Sequence, residues 1–195
     1  LITHLIRYRA KKMNIAVYCS SSNHIAQNYL DTAFELGVWI AQNGHLLVFG
    51  GATGGSMSAV SEGAAAENGQ IIGVIPEAVE RMGRVNQLCT ELVAVKTMGE
   101  RKELMKERSD VFVILPGSYG TLDELFDVLA AGIVGEHKKP VIILNENGFY
   151  DDLLKQTDRM RAEMFIPVEY FKPLIAIDLV ECYNFIQQII LPQTP

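Results

Sequence analysis

The sequence predicts a doubly wound α/β fold, a mostly parallel sheet of about seven strands with helices on both faces. Three observations predict it. Short β-rich apolar runs alternate with helix-period segments almost to the C-terminus. Most of the runs are continuously apolar, which suits strands covered on both faces. Loops of small residues, hydroxyls and glycines follow three of the runs, at the sheet edge where such folds bind ligands.

The elements follow in chain order. Residues 1–13 are expected to be an N-terminal extension, and residues 14–195 a single Rossmann-like nucleotide-binding domain. The basic residues up to Lys12 follow the apolar ones, the reverse of a signal peptide. The first strand is expected at Ile15–Cys19, then the loop Ser20-Ser-Ser-Asn23 and a helix over Ala26–Gln42. Leu46–Phe49 is the second strand. It runs into Gly50-Gly-Ala-Thr-Gly-Gly-Ser-Met57 and a helix over Ser56–Asn68. Strands at Ile71–Ile75 and Leu92–Val95 come next, then a helix over Met98–Ser109. Val111–Leu115 stops at Pro116 and leads into a helix over Leu122–Val134. Val141–Leu144, a helix over Tyr150–Met164, Leu174–Ile177 and a helix near Leu179–Ile190 complete the pattern. No stretch reads as a repeat, a low-complexity tract or a linker long enough to split domains.

Bulk properties exclude several classes. The chain has 195 residues, 49% hydrophobic and 21% charged, which fits a globular domain with a large core. Its formal net charge of -6 argues against a nucleic-acid or anionic-membrane binder. No apolar run reaches membrane-spanning length. Cys19, Cys89 and Cys182 are far apart and odd in number, so neither a zinc ribbon nor a disulfide framework is expected. A reducing, cytoplasmic location is the natural expectation. No His/Cys/Asp cluster has ligand spacing, so no metal site is expected.

The stretch Leu115-Pro-Gly-Ser-Tyr-Gly-Thr-Leu-Asp-Glu124 carries the most chemistry. A strand, a glycine loop and a helix start in that order form an anion site, because unpaired N–H groups and the macrodipole face the loop. Thr121 adds a hydroxyl and Glu124 a carboxylate. Thr121-x-x-Glu124 also reads as a capping box, in which Glu124 merely ties down the helix start. On apolar periodicity the helix buries Leu122, Leu125, Phe126 and Leu129, with Glu124 off that face. The loop is not a Walker A motif, lacking Gly-Lys-Ser/Thr. The Gly50 loop is spaced G-G-x-x-G-G rather than G-x-G-x-x-G. The acidic residue after the next strand is at best Glu77, so a nicotinamide cofactor is not expected.

The segment Met98-Gly-Glu-Arg-Lys-Glu-Leu-Met-Lys-Glu-Arg108 looks like a charged surface helix. At about 100° per residue, however, Arg101 falls within the arc of Met98, Leu104 and Met105, with Lys102 at its edge. One reading has Arg101 snorkelling its stem over the core. The other has its planar fork reaching across the strand tips to a phosphate or sugar.

Met98-x-Glu-Arg101-Lys102 together with Pro116-Gly-x-x-Gly-Thr-x-x-Glu124 resembles the Lonely Guy family of cytokinin riboside 5′-monophosphate phosphoribohydrolases, long mislabelled as lysine decarboxylases. The resemblance runs from about Ile15 to the C-terminal helix and includes Gly73-Val-Ile-Pro76 and His137-x-Lys139-Pro140. The chain departs from the family pattern at several positions. Ser118 replaces the second glycine of P-G-G, and Ala52 the third glycine of the earlier loop. Ser56 stands before Met57, Ser20 in place of a frequent Gly, and Gly99 in place of a His. Ala131 and Ile133 stand where a Trp and a Gln are usual.

The resemblance implies hydrolysis of the N-glycosidic bond of a purine nucleoside 5′-monophosphate to free base and ribose 5-phosphate, with no cofactor. It makes Glu124 and Arg101 the catalytic pair. It assigns Pro116, Gly117, Ser118, Tyr119, Gly120 and Thr121 to the phosphate loop. Ser21, Gly50, Gly51, Gly55, Met57, Met98 and Lys102 complete the substrate site. It also implies a homodimer, through helices rich in small and apolar residues such as Leu125–Val134. The alternative is a non-catalytic carrier of a nucleotide or nucleotide-bearing cofactor. Such a carrier would use the same loops and need neither Arg101 nor Glu124.

Overall fold

The structure, a computed structural model, describes residues 11–166 and 172–190. Seven strands form one sheet: β1 (Asn14–Tyr18), β2 (Leu46–Phe49), β3 (Gln70–Pro76), β4 (Glu91–Val95), β5 (Val111–Ile114), β6 (Val141–Leu144) and β7 (Leu174–Ala176). Their order is β4-β3-β2-β1-β5-β6-β7. Every pairing among them is parallel. Chain order reverses at β1, which pairs with β2 on one side and β5 on the other. That reversal opens a crevice beyond the carboxyl ends of β1 and β5.

Seven helices cover the faces: α1 (Gln27–Gln42), α2 (Gly55–Ala66), α3 (Glu77–Glu80), α4 (Met98–Arg108), α5 (Tyr119–Ile133), α6 (Asp151–Ala162) and α7 (Leu179–Ile190). The period-2 alternation of strand side chains divides the core in two. Ile15 and Val17 pack with Leu36, Ile40, Val60 and Ile186 of α1, α2 and α7. Ala16 and Tyr18 point the other way, to Met105, Leu125 and Val128 of α4 and α5. Each such fully buried aliphatic side chain stabilises the fold by about 1.5–3 kcal/mol.

Close helix packing on the first face rests on two glycines. A Cβ on Gly37 of α1 would lie 2.1 Å from the Val60 carbonyl oxygen, and one on Gly63 of α2 would lie 2.0 Å from that of Phe34. A side chain at either site would have to push the two helices apart.

The expected strands all appear, with ends shifted by a residue at most. Two elements were not expected: the single turn of α3 and a 3₁₀ turn at Glu146–Gly148. The expectation of an N-terminal extension falls mainly on residues 1–10, outside the described residues. Met13 belongs to the core, and its N–H is donated to His45 Nδ1. No helix among the described residues is long and apolar enough to cross a membrane.

Candidate active site

A cleft of about 190 Å³ lies beyond the carboxyl ends of the central strands. The loops after β1, β2, β3 and β5 and the starts of α4 and α5 build it.

The start of α4 is fixed by a local device. Thr97 Oγ1 accepts from the Glu100 N–H at 3.1 Å, and Glu100 Oε2 accepts from the Lys96 N–H at 2.8 Å. Thr97 caps the helix, and Glu100 reaches back to the residue before the cap. This capping occurs at Thr97-x-x-Glu100, not at Thr121-x-x-Glu124. Arg101 follows it and turns inward with Met105, four residues on. Its Nε donates to the Val74 carbonyl at 3.2 Å. Its other end passes over Gly50, where a Cβ would come within 2.0 Å of Nη2. Any residue but glycine at position 50 would push the guanidinium away.

The capping-box reading of Thr121 and Glu124 is corrected by where α5 begins. The helix starts at Tyr119 with Ser118 as its N-cap, and no side chain caps it. Thr121 is therefore already helical, and its side chain sits over Gly117 at a distance no Cβ could share. The buried arc is also rotated from the expected one. It holds Thr121, Glu124, Leu125, Val128 and Ala131, while Phe126 is 41% exposed. Apolar periodicity places Leu122, Leu125 and Leu129 toward the core but misses Thr121 and Glu124, because this helix buries polar side chains beside its apolar stripe. Leu122 and Leu129 pack against the core from the margin of this arc, and Phe126 lines a groove against α6.

Glu124 is only 3% exposed and Arg101 6%. Arg101 Nη1 lies 2.7 Å from Glu124 Oε1. The N–H is not directed along that line, so Oε1 has a close counter-ion but no hydrogen bond of good geometry. Burial pushes the Glu124 carboxyl up to about 7, against the opposing pull of Arg101. A carboxylate poised there exchanges a proton near neutrality. Cys19 also lines the cleft. Burial, reinforced by Glu124, raises its pKa far above the ordinary range, so it stays a thiol.

The amides of Tyr119, Gly120 and Thr121 precede the first intrahelical bond of α5, from Leu122 N–H to Ser118 O. They form the donor-rich end of a four-turn helix, aimed at the cleft. The loops after β1 and β2 are stitched together opposite. Gly55 N–H donates to Asn23 Oδ1 at 2.8 Å, and Met57 N–H to Ser20 O at 3.1 Å.

Of the candidate residues, the cleft brings together Ser21, Gly50, Met57, Met98, Arg101, Ser118, Gly120, Thr121 and Glu124. Gly51, Gly55 and Gly117 shape its loops from behind, by close backbone or side-chain approach. Pro116 is buried at the end of β5. The Tyr119 side chain is 90% exposed, outside the lining. Lys102 turns to α5, with Nζ 2.9 Å from Asp123 and 3.4 Å from Asp127. Cys19, Ser20, Ala52, Pro76, Val79 and Arg84 line the cleft without having been among the candidates. The first four adjoin strand ends or the glycine loop. Val79 of α3 and Arg84 in the connection after it belong to no motif, and no sequence signal marks them. Among the described residues, no group of three His, Cys, Asp or Glu side chains is placed to hold a metal ion.

Comparison with known proteins agrees with this architecture. A family model described as "Possible lysine decarboxylase" matches residues 57–183. The probable cytokinin riboside 5′-monophosphate phosphoribohydrolase LOGL9 of Oryza sativa subsp. japonica is 40% identical over 164 residues, 84% of this chain and 70% of that protein. The cytokinin riboside 5′-monophosphate phosphoribohydrolase of Mycobacterium tuberculosis is 36% identical over 167 residues, 86% of this chain and 89% of that protein. Among solved structures, the molybdenum cofactor binding protein of Rippkaea orientalis superimposes with a TM-score of 0.70 at 27% identity, covering 93% of this chain and 99% of that one. Fold and cleft define a Rossmann-like α/β protein with a cleft at the sheet's switch point. The chain belongs to the Lonely Guy family, that of the cytokinin riboside 5′-monophosphate phosphoribohydrolases.

Proposed function

We propose that this protein hydrolyses the N-glycosidic bond of an adenine-type nucleoside 5′-monophosphate, with or without an N6 substituent. The products are the free base and ribose 5-phosphate. The observation that carries the reading is the buried Arg101–Glu124 pair beside the open N-terminus of α5. A protein that only held its ligand would have no use for a carboxylate and a guanidinium desolvated against each other. Burying such a pair is more often a cost than a gain in stability.

The chemistry follows from the charges. Breaking C1′–N9 leaves positive charge on C1′ and O4′ of the sugar, and the departing base takes the bonding electrons. The Glu124 carboxylate stabilises that cation and accepts a proton from the water that adds to C1′, while the departing base takes up a proton from solvent, so that one water is consumed overall. Arg101 holds the carboxylate in place and orients the sugar. The amides of Tyr119, Gly120 and Thr121, with the Ser118 and Thr121 hydroxyls, hold the 5′-phosphate. Binding at that remote group positions the reacting carbon.

Incubation with a panel of nucleoside monophosphates, followed by chromatography, tests the reading. Free adenine or N6-substituted adenine is expected from the 5′-monophosphate and not from the nucleoside. The structural likeness to a cofactor-binding protein favours carriage as the second reading. Tight nucleotide binding with no release of base would select it.

A further inference from the structure

We infer that Arg84, in the connection between α3 and β4, is a phosphate-anchoring residue of the cleft; the inference rests on the reading above that the ligand is a nucleoside monophosphate.

The cleft has three charged side chains on its lining: Arg84, Arg101 and Glu124. Arg101 and Glu124 offset each other at 2.7 Å. Arg84 has no carboxylate within ion-pair distance among the described residues. It is therefore the cation whose charge an entering anion meets, in a chain whose net charge is -6. The helix N-terminus across the cleft supplies N–H dipoles but no full charge. A full positive charge beside those dipoles strengthens the hold on a phosphate dianion.

Arg84 is also held ready. Its Nη2 donates to Thr53 O at 2.7 Å and to Ser21 O at 3.2 Å, so the loops after β2 and β1 grip one corner of the guanidinium. Carbonyl oxygens fix the group without neutralising it, as a carboxylate would. Nε and Nη1 have no protein partner among the described residues. The backbone around Arg84 is itself pinned. Thr53 N–H donates to Arg84 O at 2.8 Å, Asn86 N–H to Gly51 O at 2.9 Å, and Ala52 and Val85 form an antiparallel bridge. Gly54, at φ +110°, leaves the room, since a Cβ there would lie 2.8 Å from Nη2. Little side-chain freedom remains to be lost when an anion binds.

The competing role is that of a staple, in which Arg84 only ties the two loops together. The two roles separate by measurement. Arg84→Gln keeps an N–H donor for the carbonyls and removes the charge. Arg84→Lys keeps a charge and loses the fork. Calorimetry with inorganic phosphate gives an affinity that needs no turnover. Steady-state kinetics with AMP splits KM from kcat, and thermal unfolding reports the staple. For Arg84→Gln the expected result is phosphate affinity down, and KM for AMP up, by about 10- to 100-fold, with any fall in kcat the smaller effect. Arg84→Lys should recover part of the loss.

An Arg84→Gln protein with lowered melting temperature but parental phosphate affinity and KM would make Arg84 a staple and overturn the inference, leaving the hydrolase reading intact. Conversely, Arg84-dependent phosphate binding by a parent protein that releases no base from any nucleotide would sink the hydrolase reading and leave the anchor.

Discussion

At the scale of single residues, Glu124 has two properties that make its role measurable: it is buried, and its carboxyl is pushed up to about 7. If catalysis needs the carboxylate, kcat/KM should rise with pH through about 7 and level off above it. Glu124→Gln should remove that limb and lower turnover by roughly two to four orders of magnitude. Stability should respond with the opposite sense. The folded state holds this proton more tightly than the unfolded chain, so the contribution of Glu124 to stability falls as pH rises from the ordinary carboxylate range to about 7. Urea titrations of parent and Glu124→Gln at pH 5 and pH 8 should show the parent losing more stability over that interval. An equal loss in both proteins would place Glu124 outside the titration. Arg101→Lys should also be severe. A point-charge ammonium cannot donate to Val74 O and sit against Glu124 with the geometry of a planar fork. Parental turnover in a folded Arg101→Lys protein would reduce Arg101 to a core-covering side chain.

At the scale of elements, glycines decide which helices and loops come close. Gly50→Ala should displace Arg101 and cut turnover while leaving the sheet intact, as circular dichroism together with kinetics would reveal. Gly63→Ala should do the reverse. It should cost roughly 1–3 kcal/mol or more by forcing α2 from α1, with KM little changed in the protein that remains folded. Chemical denaturation reads the first quantity directly. The same elements show what was legible in the sequence. The seven strands and six main helices could be read from apolar runs and periodicity, and most clearly in β1, β2, β3, β5 and β6, whose burial on both faces leaves little ambiguity. The inward turn of Arg101 could be read for the same reason, from its phase with Met105. The burial of Glu124 could not. Leu122, Leu125, Phe126 and Leu129 make the apolar stripe, and nothing in it marks the polar Thr121 and Glu124 as sharing the buried side of α5. Arg84 was equally hidden. It reaches the cleft through hydrogen bonds from a connection that has no periodicity of its own.

At the scale of the whole molecule, the described residues form an apolar groove between α5 and α6. It measures about 430 Å³, with Leu125, Phe126, Leu129, Leu153 and Met160 among its walls. An apolar face of this kind on a chain expected to pair is best covered by a second copy. Light scattering at micromolar concentration should give twice the chain mass, and Phe126→Arg should shift it to one. A monomeric parent would refute the pairing.

The position of β1 carries a further consequence, one of time. β1 lies between β2 and β5, and the Asn14 N–H is donated to Asp110 Oδ2, 96 residues further along the chain. Ser20 and Ser21 leave one side of that seam, and Ser118 to Glu124 leave the other. The cleft therefore cannot exist until the most distant strand pairing in the sheet has closed, and closures of that span are the slow ones. On the ribosome, residues 14–66 can form two strands and two helices long before any nucleotide has a place to bind. In a refolding experiment, helical signal should return first, and binding of a fluorescent nucleotide should follow at the rate at which β5 docks beside β1.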